Sequence, residues 1–490
     1  MSKLNKDILF LLFEELQNDS KSLYSCLTVN RLWCETVIPI LWKNPWDYSI
    51  NYKNKNSLYY IITSYLTDDI KEFLTEQRIY IPSISRQSLL FDYLSFCKSF
   101  NVNIINEIIS IRHSSDYEQF LLQQEIYIII MKECLELKYL NMISIKHQIF
   151  YFPDAKVCLD SLCELKCDTS TNISYFYGLA CICQNIQRLI IINTNSRTNH
   201  EIVKLIDNQK NLKYFEWKDE FKEDCFVDPY EMIFPALIKK ADTLNHLIIV
   251  FEYFEYEHEF LLKILSELHN LKTLKIDDLE LINEERLKTL IYRDLEILKI
   301  DYIKISTAVC MIKNSGGYLK EILLKYYYYL DEDNFNQDSL NLIRTIYENC
   351  PLIEYLSLVF SSSKVHFIEL EILLKSCKNL KSLLLIMNCF NDENFLKSNE
   401  EKFSDGDELL KILISSAPNY LKEIRFFDHF KFSLESLETF FINWKNRPAI
   451  SILTSDHIYD GENYLNLIKK YKNNGVIKDF NRVFKIDIYF

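Results

Sequence analysis

Apolar residues recur along this chain in one dominant pattern, L-x-x-L-x-L, with Ile, Phe, Met, Trp or Cys also filling the apolar positions. It appears at Leu137/Leu140/Met142, Leu162/Leu165/Cys167, Ile186/Leu189/Ile191, Leu212/Phe215/Trp217, Leu244/Leu247/Ile249 and Leu271/Leu274/Ile276. It continues at Leu295/Leu298/Ile300, Leu319/Ile322/Leu324, Ile353/Leu356/Leu358, Leu380/Leu383/Leu385 and Leu421/Ile424/Phe426. Successive starts lie mostly 24 to 27 residues apart, with longer intervals of 32, 34 and 41. Helical patterns fill the gaps: Phe260 to Leu265, Leu340 to Ile346 and Leu370 to Leu374 each precede a motif. One strand and one helix per repeat predict an α/β solenoid, with parallel strands on a concave face and helices on the convex face.

Side chains alternate along a strand, so the residues between motif apolars point to the concave surface. That stripe includes Tyr214, Lys275, Asp277, Lys299, Asp301, Glu321, Tyr355 and Arg425. Its mixture of aromatic groups and both charge signs suits a protein or peptide target better than nucleic acid or sugar.

The first 45 residues follow a different period. Ile8, Leu12 and Leu16 recur every four residues and predict one helical face. Asp19, Ser20 and Ser22 supply turn and cap side chains for a second short helix that carries Leu23, Cys26 and Leu27 inward. Two Trp and several Leu are more apolar surface than three short helices hide, so a partner or the rest of the chain is expected to cover it. Residues 46–130 read as transitional helices or atypical first repeats: Tyr60 to Leu66 and Ile104 to Ile111 are amphipathic, and Pro82 with Ser83-Ile84-Ser85 breaks the chain. The array is assigned to 131–455. A C-terminal cap is assigned to 456–490, with a helix at Tyr464 to Tyr471 and an alternating edge strand at Val483 to Ile488.

At the N-terminus the order Leu4, Asp7-Ile8, Leu12-Phe13, Leu16, Leu23, Val29, Arg31, Trp33, Leu41-Trp42 resembles the F-box. The family places Pro directly after the first Leu, where this chain has Asn5. The downstream array resembles the leucine-rich repeats that commonly follow an F-box. It lacks a regular Asn or Cys at the following ladder position, while Glu348-Asn349-Cys350-Pro351 and Cys377 look like the helix-to-strand turn of such a repeat. The resemblance implies docking onto a Skp-family adaptor, and through it a cullin, in an SCF-type ubiquitin ligase. Leu4, Ile8, Leu9, Leu12, Leu16, Leu27, Val29, Trp33, Leu41 and Trp42 would meet the adaptor, and the repeats would hold a target protein. Such a receptor contributes no chemistry itself and acts by effective concentration. The alternative is a leucine-rich scaffold whose N-terminal helices fold back on the array and never meet an adaptor.

Composition narrows the remaining options. A net charge of −13 argues against gripping a nucleic-acid backbone. The six glycines build no GxGxxG, and none precedes Lys, so the usual nucleotide cradles are excluded. No apolar run is long enough for a membrane span, and no secretory signal is read at Ile8 to Phe13. Fourteen cysteines without such a signal are expected to be reduced thiols in the cytoplasm or nucleus. Cys158, Cys163, Cys167, Cys181 and Cys183 form the densest group, but no C-x2-C occurs, so neither a metal nor any other cofactor is expected. Nine scattered His, with no HExxH or GxSxG, place His246 and His429 as ordinary side chains and point away from an enzyme. Tyr326 to Tyr329 is ascribed to compositional bias, and the acidic stretch Asn399 to Glu408 to a solvated loop.

Overall fold

A computed structural model describes residues 5–46, 52–194, 200–220, 230–251, 259–277, 284–326, 334–387, 399–427 and 430–482. The chain divides into two compact units, Met1–Lys240 and Ala241–Phe490.

The first unit opens with three helices, α1 (Lys6–Glu15), α2 (Ser20–Cys26) and α3 (Arg31–Leu41). Further helices follow at Tyr52–Thr63, Asp68–Glu76, Val102–Ser110 and Asp116–Glu133. Around Pro82 the backbone follows no regular element. Five strands run in chain order: β1 (Ser99–Asn101), β2 (Tyr139–Asn141), β3 (Glu164–Asp168), β4 (Arg188–Asn193) and β5 (Tyr214–Asp219). Each pairs in parallel with the next, and Leu140, Leu165, Leu189 and Phe215 stack in one register column.

The second unit repeats the arrangement with β6 (His246–Val250), β7 (Thr273–Asp277), β8 (Ile297–Ile303), β9 (Glu321–Tyr326) and β10 (Tyr355–Phe360). It closes with β11 (Ser382–Met387), β12 (Glu423–Phe427), β13 (Ile450–Thr454) and β14 (Ile477–Arg482). All its successive pairs are parallel, and one column runs Leu247, Leu274, Leu298, Ile322, Leu356, Leu383, Ile424, Ile452. The expected helices stand at Glu259–Glu267, Phe335–Asn349, Lys364–Ser376 and Glu462–Asn473. The alternating segment at 483–488 and the tyrosine run at 327–329 lie outside the described residues.

Every apolar residue of the eleven motifs is 2% exposed or less. A buried Leu or Ile stabilises by about 1.5–3 kcal/mol, and no single repeat can bury its own row, so this stacking is what makes the units cohere.

A second repeat signal sits at the helix ends. Cys97, Cys134, Cys183, Cys350 and Cys377 are each the residue that closes a helix, and all are at most 1% exposed. The last four stand three positions before the first apolar residue of a motif, so a small apolar group fills the same turn repeatedly. Burial pushes the thiols of Cys183, Cys350 and Cys377 up to about 12, which keeps them protonated and unreactive at neutral pH.

The acidic stretch is corrected by the structure: it forms the first half of a helix, Asn399–Ser416, rather than a loop. Asp407 accepts from the backbone N–H of Ser433 at 2.9 Å and from its hydroxyl at 2.8 Å. Gly406 is required beside it, because a Cβ there would lie 2.0 Å from the Lys431 carbonyl oxygen.

Among the described residues three histidines are buried rather than on the surface: His113, His147 and His366. His366 is held on both ring nitrogens, with the Ser339 hydroxyl 2.8 Å from Nε2 and the Ser363 hydroxyl 2.8 Å from Nδ1. Burial lowers its pKa to about 4. The unfolded chain, with an ordinary His near 6.5, therefore takes up the proton first as pH falls. Stability is full above about pH 6.5 and is lost down towards pH 4, by about 2 kcal/mol between pH 7 and pH 5 from this residue alone. Urea midpoints at the two pH values measure the loss, and His366→Gln flattens the difference. His113 and His147, also lowered chiefly by burial, leave a residual slope of the same sign.

Candidate functional site

The three N-terminal helices make their own small core. Asp19 caps α2 by accepting from the Ser22 N–H at 3.1 Å and its hydroxyl at 2.6 Å, and Asn30 caps α3 through the Trp33 N–H at 3.0 Å. These caps satisfy amides that the short helices leave open. Asn5 precedes α1 in an extended conformation without a side-chain cap. Leu9 and Phe13 on α1 are buried, as are Leu23 on α2 and Val37, Ile38, Ile40 and Leu41 on α3. Phe13 meets the Trp33 ring edge-on at 5.2 Å between centroids. Trp42 is buried against Tyr93 at 4.6 Å, and the Trp46 indole N–H donates to the Ser99 carbonyl at 2.8 Å.

This packing corrects the assignment of the helical face. Leu9, Leu41 and Trp42 belong to the interior and are withdrawn from any partner surface, while Leu16, Leu27 and Trp33 are half-buried. Ile8 and Leu12 lie outward at 48% and 50% exposure, joined by Leu11 at 63%, which the four-residue period passed over. Positions i, i+3 and i+4 are neighbours on a helix, so these three side chains form one apolar patch. Tyr24 and Val29 are also exposed, at 49% and 54%. Leu4 lies outside the described residues. The reason is geometric: α1 is apolar on nearly all sides from Ile8 to Phe13, and two short neighbours cover only one stripe of it.

The concave stripe is less open than the alternation alone predicts. In β5 it holds: Tyr214, Glu216 and Lys218 are half-exposed between buried Phe215 and Trp217. The Tyr214 hydroxyl donates to Glu216 at 2.5 Å, and the Arg188 guanidinium stacks 3.9 Å from the Tyr214 ring centre. In the second unit Lys275, Asp277, Asp301, Glu321, Tyr355 and Arg425 are half-buried. Arg425 is already engaged, its Nε donating to Glu423 at 2.6 Å. Lys299 is corrected outright: at 1% exposure it is interior, its Nζ 3.9 Å from Asp277. Burial and the neighbouring Asp277 raise the Asp301 carboxyl to about 6, against the opposing pull of Lys299 and Lys325. Leu323, Ser357, Val359, Ser382, Leu384 and Ile386, all on the predicted open side, are also buried. Strands β10 and β11 are apolar in both registers, the signature of a strand covered on both faces.

A polar ladder escaped the sequence reading. Thr169, Asn193 and Asp219 stand two residues after the third apolar residue of successive motifs. The Thr169 hydroxyl donates to Asn193 Oδ1 at 3.0 Å, and Asn193 Nδ2 donates to Asp219 Oδ1 at 2.9 Å. Asp219, 2% exposed, also accepts from the Trp217 indole N–H at 2.9 Å and from the Tyr230 hydroxyl. Three different residue types do one job there, which is why no regular ladder residue was visible.

Among the described residues no group of three or more His, Cys, Asp or Glu could hold a metal ion, and no helix is long and apolar enough to cross a membrane. His246 Nδ1 lies 2.9 Å from the Thr273 hydroxyl, and His429 is outside the described residues.

No protein-family profile matches the chain, and no curated protein matches it. Among solved structures, a chain from the crystal structure of the Rad7 and Elc1 complex in yeast aligns over 97% of this chain and 91% of its own. The identity is 11% and the TM-score 0.43, a remote likeness that assigns no role.

Proposed function

We propose that this protein is a substrate receptor of a cullin-based, SCF-type ubiquitin ligase, docking a Skp-family adaptor through α1 and α2 and a target protein through its repeats. The single observation that supports it is the patch Ile8, Leu11 and Leu12, left in solvent on a helix whose opposite face is already packed. The segment does pack on the following chain through Trp42 and Trp46, yet that packing leaves the patch uncovered, which favours an outside partner over the self-contained scaffold. The F-box-like order of residues gives the partner its class. In this reading the chain is not an enzyme; it works where thiols stay reduced, in the cytoplasm or nucleus, and brings its target within reach of the transfer machinery.

Hydrogen exchange on the full chain tests the docking. Adding a purified Skp-family adaptor is expected to slow amide exchange across residues 6–29 and to leave the helix Lys364–Ser376 unchanged. No adaptor-dependent protection anywhere in residues 6–29 would sink the proposal.

A further inference from the structure

Apart from the apolar patch, the first unit holds a cleft of about 880 Å³ between the α1–α2 turn, the chain after α3 and the strands β1–β3. Four lysines line it, Lys43, Lys98, Lys138 and Lys166, against a single lining carboxylate, Glu164. In a chain of net charge −13 this is a local reversal of sign.

The backbone explains why the lysines converge. The Lys98 N–H donates to the Lys43 carbonyl at 2.9 Å, and the Lys138 N–H to the Lys98 carbonyl at 2.8 Å. Three lysines thus occupy successive rungs about 5 Å apart. Lys166 joins them from β3, in register with Asn141 of β2. Like charges carried on neighbouring rungs repel. The surroundings answer only in part: Lys43 pairs with Glu14 at 2.6 Å and Lys98 with Glu136 at 3.1 Å, while Glu164 faces Arg188 at 3.6 Å. Lys138 donates to the Ser161 carbonyl at 3.3 Å, and Lys166 has no ion pair among the described residues.

We propose that this cleft binds a ligand whose charge is concentrated in clustered phosphate groups. No arginine lines it, so the planar fork that suits a carboxylate is missing. Lysine ammonium groups act as point charges and suit tetrahedral phosphate oxygens, with the amides of Gln17, Asn18 and Asn101 as neutral donors around them. The volume is that of a small-ligand pocket rather than of a groove tracking a long backbone. A bound polyanion neutralises the lysine row and bridges the α1–α2 turn to β1–β3. This proposal does not rest on adaptor docking, which has its own assay.

The test is calorimetric titration of the full chain with sodium tripolyphosphate, with a peptide carrying two adjacent phosphoserines, and with hexaglutamate. The wild type is expected to bind at least one phosphate probe, less tightly as salt is raised. Lys138→Gln with Lys166→Gln is expected to weaken that binding at least tenfold; neither lysine makes an ion pair among the described residues, and circular dichroism checks the fold. Tighter binding of tripolyphosphate points to a free phosphate compound, and tighter binding of the phosphopeptide to a modified protein segment. Both uphold the inference. It is overturned if neither phosphate probe binds, if the folded double variant binds as tightly as wild type, or if hexaglutamate matches tripolyphosphate.

Discussion

Leu12→Asp combined with Val29→Asp is expected to weaken capture of a Skp-family adaptor by at least 100-fold while the thermal midpoint stays within a few degrees of wild type. Both side chains are about half exposed, so the folded chain loses little when they become polar. Burying a Leu or Val at an interface contributes about 1.5–3 kcal/mol, and placing an unpaired carboxylate there adds a further penalty. A 100-fold loss corresponds to about 2.7 kcal/mol, well within that sum. Surface-plasmon titration of immobilised adaptor gives the ratio. Trp33→Ala is the instructive contrast, since Trp33 packs on Phe13 and its removal lowers stability as well as capture. Equal capture by the folded double variant and wild type would place the docking surface elsewhere.

Asp219→Ala is expected to destabilise the first unit by about 3–5 kcal/mol, because it removes the shared acceptor of several buried donors. The substitution strands the Asn193 amide, the Trp217 indole N–H and the Tyr230 hydroxyl, each of which now donates to this carboxylate. A buried donor left without an acceptor costs about 1–3 kcal/mol. Asp219→Asn keeps part of the acceptor geometry and should lose less. Denaturant midpoints followed by tryptophan fluorescence, four of the five tryptophans lying in the first unit, report the two variants, and a midpoint unchanged in Asp219→Ala would remove the ladder from the account of stability.

The repeat array was legible because its determinant is local and periodic. Each motif needs three apolar residues at fixed spacing, and all are buried. Helix ends were legible only where Cys350 and Cys377 sit near a turn signal; the same role at Cys97, Cys134 and Cys183 went unseen. The exposed face of α1 was half legible. Ile8 and Leu12 do lie outward, but Leu9 and Leu11 exchange roles, because a helix apolar on all sides has no period to say which stripe its neighbours take. The concave stripe failed where strands are apolar in both registers, as at Val359 and Leu384, since alternation marks a face only when the other face is polar. The acidic segment failed because glycine and clustered charge suggest a loop, whereas Gly406 serves a close backbone approach inside a helix.

The parallel register of the second unit makes its length a modular quantity. Tyr355 of β10 lies opposite Glu321 of β9 on one side and Ser382 of β11 on the other. A gene that dropped one whole turn between those positions would still encode strands able to meet in phase, because each recognises only its neighbour's spacing. Duplication and excision of whole turns are therefore open routes for resizing the strand face, without redesign of the segment that carries α1.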